Sequence, residues 1–162
     1  MADYWLDSNV FIEAKNHAYA FDLVPGFWLF IEEKGKEGII CASSMVYDEL
    51  VSDTRDELAA WAKARRNVGL FADPDQPVQE AVRIIGDFVI NNYNQREADK
   101  FLRKADPFVI AHALIGGGAV VTHESKVDQN STKVKIPNIC EQFNVECIDP
   151  YTMLRALNAS FR

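Results

Sequence analysis

The sequence has little that would cross-link the chain or carry it through a bilayer. Its three cysteines, Cys41, Cys140 and Cys147, are an odd set without C-x-x-C spacing. That excludes a disulfide framework and a zinc knuckle, and predicts reduced, mostly buried thiols. Glycine and proline are sparse, at 8 and 6 residues, which excludes collagen-like and low-complexity chains. The uncharged run from Phe108 to His123 is interrupted by His112 and by Gly116-Gly117-Gly118, and it falls short of the about 20 apolar residues that span a bilayer. No basic or apolar signal region follows the opening Met-Ala-Asp, so the expected compartment is the cytoplasm. Positive charge is also scarce, with 17 Lys and Arg against 24 Asp and Glu for a net charge of -7. This deficit is uneven: residues 1–62 carry -8, residues 63–135 carry +2 and residues 136–162 carry -1. A nucleic-acid contact therefore stays open to the middle of the chain, and the first third suits cations or a basic partner.

What the sequence does have is the apolar content of a folding unit, 48% over 162 residues. It reads as a single domain over 1–162 with a helical elaboration at about 54–104. Tyr4-Trp5-Leu6, Ile39 to Ala42, Ala119 to Thr122 and Glu146-Cys147-Ile148 are short apolar strands. Between them lie helical patterns, including two over Val10 to Phe30 broken at Pro25-Gly26, and one after an N-cap at Ser43-Ser44. A capping box at Thr54-Arg55-Asp56-Glu57 opens another. Val78, Val82, Ile85 and Val89 mark a buried helical stripe, and Gln95 to Lys104 a short basic helix. Asp106-Pro107 reads as N-cap and first residue of a helix that Gly116 to Gly118 stop. Strands alternating with helices predict an α/β fold of three layers, α/β/α, around a mainly parallel sheet of four or five strands.

Ligands bind such sheets at the carboxyl ends of the strands. Asp7 and Glu124 follow strand ends directly, Glu49 lies one turn into the helix after a strand, and Asp106 caps a helix leading back to the sheet. Four carboxylates from distant positions thus converge on one edge. Ionised together they repel by about 4 kcal/mol per pair at 4 Å and an effective dielectric of 20. Either raised pKa values or bound cations must relieve this, and all-oxygen ligands select hard ions such as Mg²⁺ or Mn²⁺.

Leu6-Asp7-Ser8-Asn9-Val10-Phe11, the Glu in Val46-Tyr47-Asp48-Glu49-Leu50, Asp106-Pro107-Phe108-Val109-Ile110-Ala111 and Val121-Thr122-His123-Glu124 follow one another in an order that resembles PIN-domain ribonucleases, most of all the toxins of VapBC-type toxin-antitoxin pairs. The final strand and the helix over Tyr151-Thr152-Met153-Leu154 are similar to that family's ending. The resemblance implies a metal-dependent endoribonuclease in which Asp7, Glu49, Asp106 and Glu124 are the catalytic, metal-binding acids. Ser8 and Asn9 would orient Asp7 or touch phosphate, Thr122 would act similarly, and His123 is a candidate for phosphate or water. The family's fourth acid is usually Asp, so Asp128 is the alternative to Glu124. The implied partners are an RNA substrate and a cognate antitoxin protein laid over the acidic edge. Apolar helix faces add a homodimer to the expectations.

Lys63, Arg65, Arg66, Arg96, Lys100, Arg103 and Lys104 are candidates for the RNA backbone path, against the plainer reading of a solvated face. Trp5, Trp28 and Trp61 are candidates to stack bases, against core packing. The competing function is a catalytically inactive PIN-like module that docks protein or RNA. A phosphatase with Asp7 as nucleophile ranks lower, since Asp7-Ser8-Asn9 lacks the second Asp of Asp-x-Asp. A receiver domain is weakened by the lack of an acidic pair after the first strand.

Overall fold

A computed structural model describes residues 2–161. Five short strands form one sheet: β1 (Tyr4–Leu6), β2 (Ile40–Ser43), β3 (Phe71–Ala72), β4 (Ala119–Val121) and β5 (Cys147–Ile148). Their spatial order is β3-β2-β1-β4-β5, and every pairing is parallel. Trp5 stands opposite both Cys41 and Val120, and Val121 opposite Ile148. The chain builds outward from β1 through β2 to β3, then returns to add β4 and β5 on the other side of β1. The reversal opens a crevice beyond the carboxyl ends of β1 and β4, the usual ligand position in such sheets.

The helices follow from local chemistry. Asp7 ends β1 and caps α1 (Ser8–Asn16) by accepting the Ser8 amide. Ser43 caps α3 (Ser44–Glu49), its Oγ accepting from the Met45 amide at 3.2 Å. Asp75 does the same for α5 (Gln76–Asn92), on which Val78, Ala81, Ile85 and Val89 are buried. Gly117, at φ 78°, ends α7 (Asp106–Gly116) in the left-handed conformation that glycine adopts without steric cost. Between these elements run α2 (Pro25–Lys36), α4 (Glu57–Ala64) and α6 (Gln95–Leu102), with α8 (Ile136–Gln142) and α9 (Pro150–Ala156) at the end.

Helix α7 lies against β1, β2 and β4 with α5, α6 and α8 packed on it, while α2 lies against β2 and α1 packs with α3 and α4. The result is the three-layer α/β/α arrangement that the strand and helix alternation predicts. Because α7 sits between sheet and helices, it is apolar nearly all round, with Val109, Ile110, Ala111 and Ala113 buried. None of the helices is long and apolar enough to cross a membrane, among the described residues.

Three local expectations are corrected. The helical elaboration at 54–104 contains α4, α5 and α6 but also strand β3, whose two residues are too few to show a period. Thr54 does not cap α4: Asp56 does, accepting the Leu58 amide at 3.0 Å. The Thr54 hydroxyl instead donates to the Leu50 carbonyl at 2.6 Å, closing a π-helical turn over Leu50–Thr54. Finally, Asp106 is the first residue within α7 and Ala105 is the N-cap, so the carboxylate is not consumed in capping.

The tryptophans belong to the core. Trp28 and Trp61 meet edge to face at 5.0 Å, Phe21 stacks on Trp28 at 4.1 Å, and Trp5 stacks on His112 at 4.4 Å. All three are buried, which removes them as base-stacking platforms. All three cysteines are free, Cys41 and Cys140 buried and Cys147 half-buried.

Candidate active site

Strand ends β1 and β4 meet through a small polar network. The Thr122 hydroxyl donates to Asp7 Oδ2 at 2.8 Å. Thr122 Oγ1 in turn accepts from Asn9 Nδ2 at 3.2 Å and from the Glu124 amide at 3.1 Å. One donor and two lone pairs are all a hydroxyl has, so Thr122 is fully committed and its proton is fixed on Asp7. Asn9 completes the link by accepting the His123 amide on Oδ1 at 3.1 Å. Asp7 Oδ1 meanwhile takes the Ser8 amide at 2.8 Å. These bonds hold Asn9 and Thr122 in place beside Asp7, while Ser8, also buried, lies where its hydroxyl lowers the Glu49 carboxyl.

Replacing Thr122 by Val keeps the shape and deletes the hydroxyl. Asp7, Asn9 and the Glu124 amide each lose a partner at a residue that is 1% exposed. The expected loss is about 2–3 kcal/mol, read as a lower urea midpoint at unchanged slope. An unchanged midpoint would show that water replaces all three bonds without cost.

The other acids arrive from different elements. Glu49, the last residue of α3, accepts the Ala105 amide on Oε1 at 2.6 Å. It thereby holds the start of α7, where Asp106 follows at once. Glu124 accepts the Ile136 amide on Oε1 at 3.1 Å and so ties the loop after β4 to the start of α8. Asp7 and Asp106 are 4% and 7% exposed, which is rare for carboxylates and costly when they are ionised.

Electrostatics shows that the four groups share one field. Burial pushes the Asp7 carboxyl up to about 7, against the Thr122 hydrogen bond that lowers it, with Glu124 and Glu49 raising it further. Burial pushes Asp106 up to about 8, reinforced by Asp7, Glu124 and Glu49 and opposed by Lys104. Glu49 is raised as well, chiefly by burial and against the bond from the Ala105 amide. Asp128 takes no part. It is exposed, accepts the Asn130 amide within its own turn at 2.9 Å, and lines a separate recess with Lys126 and Lys133. Of the two, it is the charge of Glu124 that raises Asp7 and Asp106.

No three of the described His, Cys, Asp and Glu side chains are already gathered around one point as an ion cage. Glu49 and Glu124 each spend Oε1 on a backbone amide. A protein cage is not a requirement for Mg²⁺, which keeps several waters and is commonly held by one or two carboxylates together with substrate phosphate. Two buried aspartates in an all-oxygen set, flanked by glutamates that each retain Oε2, fit that pattern of binding.

The basic candidates divide. Arg65 pairs with Glu32 and lies over the Trp61 ring, while Arg66 pairs with Asp73 at 2.8 Å and lies over Tyr47. These two serve packing. Arg96, Lys100 and Arg103 border one open recess along α6, and Lys104, just beyond, reaches Glu49 and Asp106 with its charge. The sequence placed Lys104 among the basic residues but did not connect it to the acids, although Lys104-Ala105-Asp106 are adjacent. It also missed a cavity beside His123, because Glu13, His17, Tyr19 and Tyr151 come from two helices and a loop with no motif between them.

A family model described as a domain of unknown function, DUF4411, matches residues 4–161. The chain belongs to the DUF4411 family. Comparison of folds adds what that description lacks. The DUF4411 chain is similar to a chain of VapBC2 from Rickettsia felis, solved bound to a DNA fragment from their promoter, with 13% identity, a TM-score of 0.52, and 90% and 97% of the two chains covered. It is similar to a chain of DNA-bound VapBC from Salmonella typhimurium, with 17% identity, a TM-score of 0.52, and 92% and 98% covered. A chain of FitAB bound to an IR36 DNA fragment matches with 15% identity, a TM-score of 0.53, and 91% and 95% covered. No curated protein matches by sequence. At these identities the likeness is one of fold, a PIN-like three-layer α/β/α arrangement.

Proposed function

We propose that this DUF4411 chain is a metal-dependent endoribonuclease and the toxin of a toxin-antitoxin pair. The observation that supports the reading is the burial of Asp7 and Asp106 near the switch point of the sheet, each carboxyl raised by burial and further by the charges of Glu49 and Glu124. Carboxylates buried and perturbed in this way mark functional sites.

Asp7 and Asp106 are the residues to hold Mg²⁺ or Mn²⁺, with Glu49 and Glu124 on either side. When bound, one or two such ions supply an activated water and charge neutralisation at a phosphodiester. Thr122 and Asn9 fix the Asp7 carboxylate, and Glu49 fixes the start of α7, so the acids are oriented before substrate arrives. Lys104 offers a cation beside Glu49 and Asp106 for a phosphate, continuing the basic edge of α6. The excess of acid over base elsewhere suits a basic antitoxin segment, and the solved relatives are themselves two-component assemblies. Leu29 on α2 and Ile84 and Ile90 on α5 are exposed apolar residues available to an antitoxin or a second copy.

The test is cleavage of total bacterial RNA by purified protein with Mg²⁺ or Mn²⁺, against the same protein with chelator. Cutting that requires the ion supports the reading. No cutting by folded, inhibitor-free protein in either metal would leave the docking module.

A further inference from the structure

Beside the acidic edge, on the β4–β5 side, lies a half-open cavity of about 150 Å³ that the metal chemistry does not use. His123, between Thr122 and Glu124 in sequence, forms one wall, and Tyr151 at the start of α9 forms another. The two rings meet edge to face at 6.1 Å. Tyr19 and Phe27, stacked on each other at 4.4 Å, line the inner part. The rim is polar: Glu13 and His17 stand one turn apart on and just after α1, with Nε2 of the histidine 3.4 Å from the carboxylate. Tyr151 is 42% exposed, an aromatic ring open to solvent.

Size and chemistry narrow the ligand. A cavity of about 150 Å³ admits one benzene-sized ring and is well below the usual volume for a larger ligand. Aromatic walls favour a flat ring, and base stacking on such side chains is a general mode of binding single strands. A carboxylate at the rim accepts from an exocyclic amine such as N4 of cytosine, and it repels the carbonyl oxygen that uracil presents at the same place. Arg155, one turn beyond Tyr151 on α9, brings a cation to the same edge.

We propose that this cavity is a base subsite that takes one pyrimidine of the RNA strand, with Tyr151 and His123 contacting the ring and Glu13 preferring cytosine. The inference rests on the ribonuclease reading, since it places a base next to the phosphate held at the acids. It also assigns a source of sequence preference to a surface away from the metal-binding carboxylates.

Binding of CMP, UMP and GMP to the intact protein, followed by NMR of the histidine and tyrosine rings, tests it without requiring cleavage. The expected result is that CMP binds most tightly and perturbs His17 and His123. Tyr151→Ala, at an exposed position, should weaken CMP by about tenfold or more. Glu13→Ala should equalise CMP and UMP, with thermal unfolding confirming that both variants are folded. RNA cutting without any nucleotide signal at these rings would overturn the subsite and leave the nuclease standing. A CMP signal without RNA cutting would keep the subsite and remove the nuclease. Tyr151→Ala without effect, or indole binding in place of CMP, would also overturn it, the latter assigning the cavity to a protein side chain of a partner.

Discussion

Asp106→Asn will cut RNA more than about 100-fold slower than the parent protein, a loss beyond that typical of an outer partner of a metal ligand. It will also unfold at a higher temperature when no divalent ion is present at pH 8. The opposed directions follow from one cause. Asp106 is buried, and burial together with Asp7 and Glu124 holds its carboxyl up to about 8. An amide of the same shape removes that repulsion at pH 8 and, on the proposed reading, one of the carboxylates that would hold the metal. A gain of about 3 kcal/mol would move the midpoint by roughly 6–12 °C for a domain of this size. Because Ala105 rather than Asp106 is the N-cap of α7, the substitution takes away no cap. A variant that loses activity and stability together would instead make Asp106 a structural residue and undo the assignment. Asp7→Asn should lose activity similarly but gain less stability, because the Thr122 hydroxyl and the Ser8 amide both favour its charged form.

The second large effect concerns pH and metal together. Both aspartates have folded pKa values raised from 3.8, to about 7 and about 8. A raised acid binds its proton more tightly in the folded state than in the unfolded chain. The folded protein therefore gains stability where those protons stay on, and loses it as pH climbs from about 4 through the folded pKa values. In the presence of chelator, the denaturant midpoint should fall steadily between pH 4 and pH 8. Divalent ions act against the same repulsion, so Mg²⁺ or Mn²⁺ should cancel most of the fall at pH 8. At an ion concentration about 100 times its Kd the linkage is worth about 2.7 kcal/mol, or roughly 5–11 °C. The effect should vanish at pH 4 and in the Asp7→Asn, Asp106→Asn double variant. A midpoint indifferent to metal at pH 8 would count against these acids as ion ligands, whatever the protein does to RNA.

The fold itself was largely legible because its signals are local. Trp5-Leu6 before Asp7, the Ser43 cap, the stripe through Val78, Ile85 and Val89, and the Gly117 stop each act within a few residues of chain, and each appears as read. Strand β3 was not legible, since a two-residue edge strand is defined by its partner Ala42-Ser43 and not by its own pattern. The choice of Asp56 over Thr54 as cap was equally hidden. It depends on the π-helical turn over Leu50–Thr54, which sends the Thr54 hydroxyl back to Leu50 and leaves Arg55 at φ 49°.

At the site the same division holds. Sequence alone placed Asp7 and Glu124 after strand ends and Glu49 and Asp106 near helix starts, because those boundaries are set by neighbouring residues, whereas the order β3-β2-β1-β4-β5 belongs to the tertiary structure. Only the tertiary structure decided what those acids are. Crossing from β1 to β4 put Thr122 on Asp7, bringing the end of α3 to the start of α7 put Glu49 on the Ala105 amide, and the loop after β4 tied Glu124 to the Ile136 amide while leaving Asp128 at the surface. Burial, which raises the two aspartates, and the pairing of Arg65 with Glu32 and of Arg66 with Asp73 are sums over contacts from the whole chain. A one-dimensional pattern carries the identity of a charge, whereas its energy belongs to the three-dimensional surroundings that remove water from it.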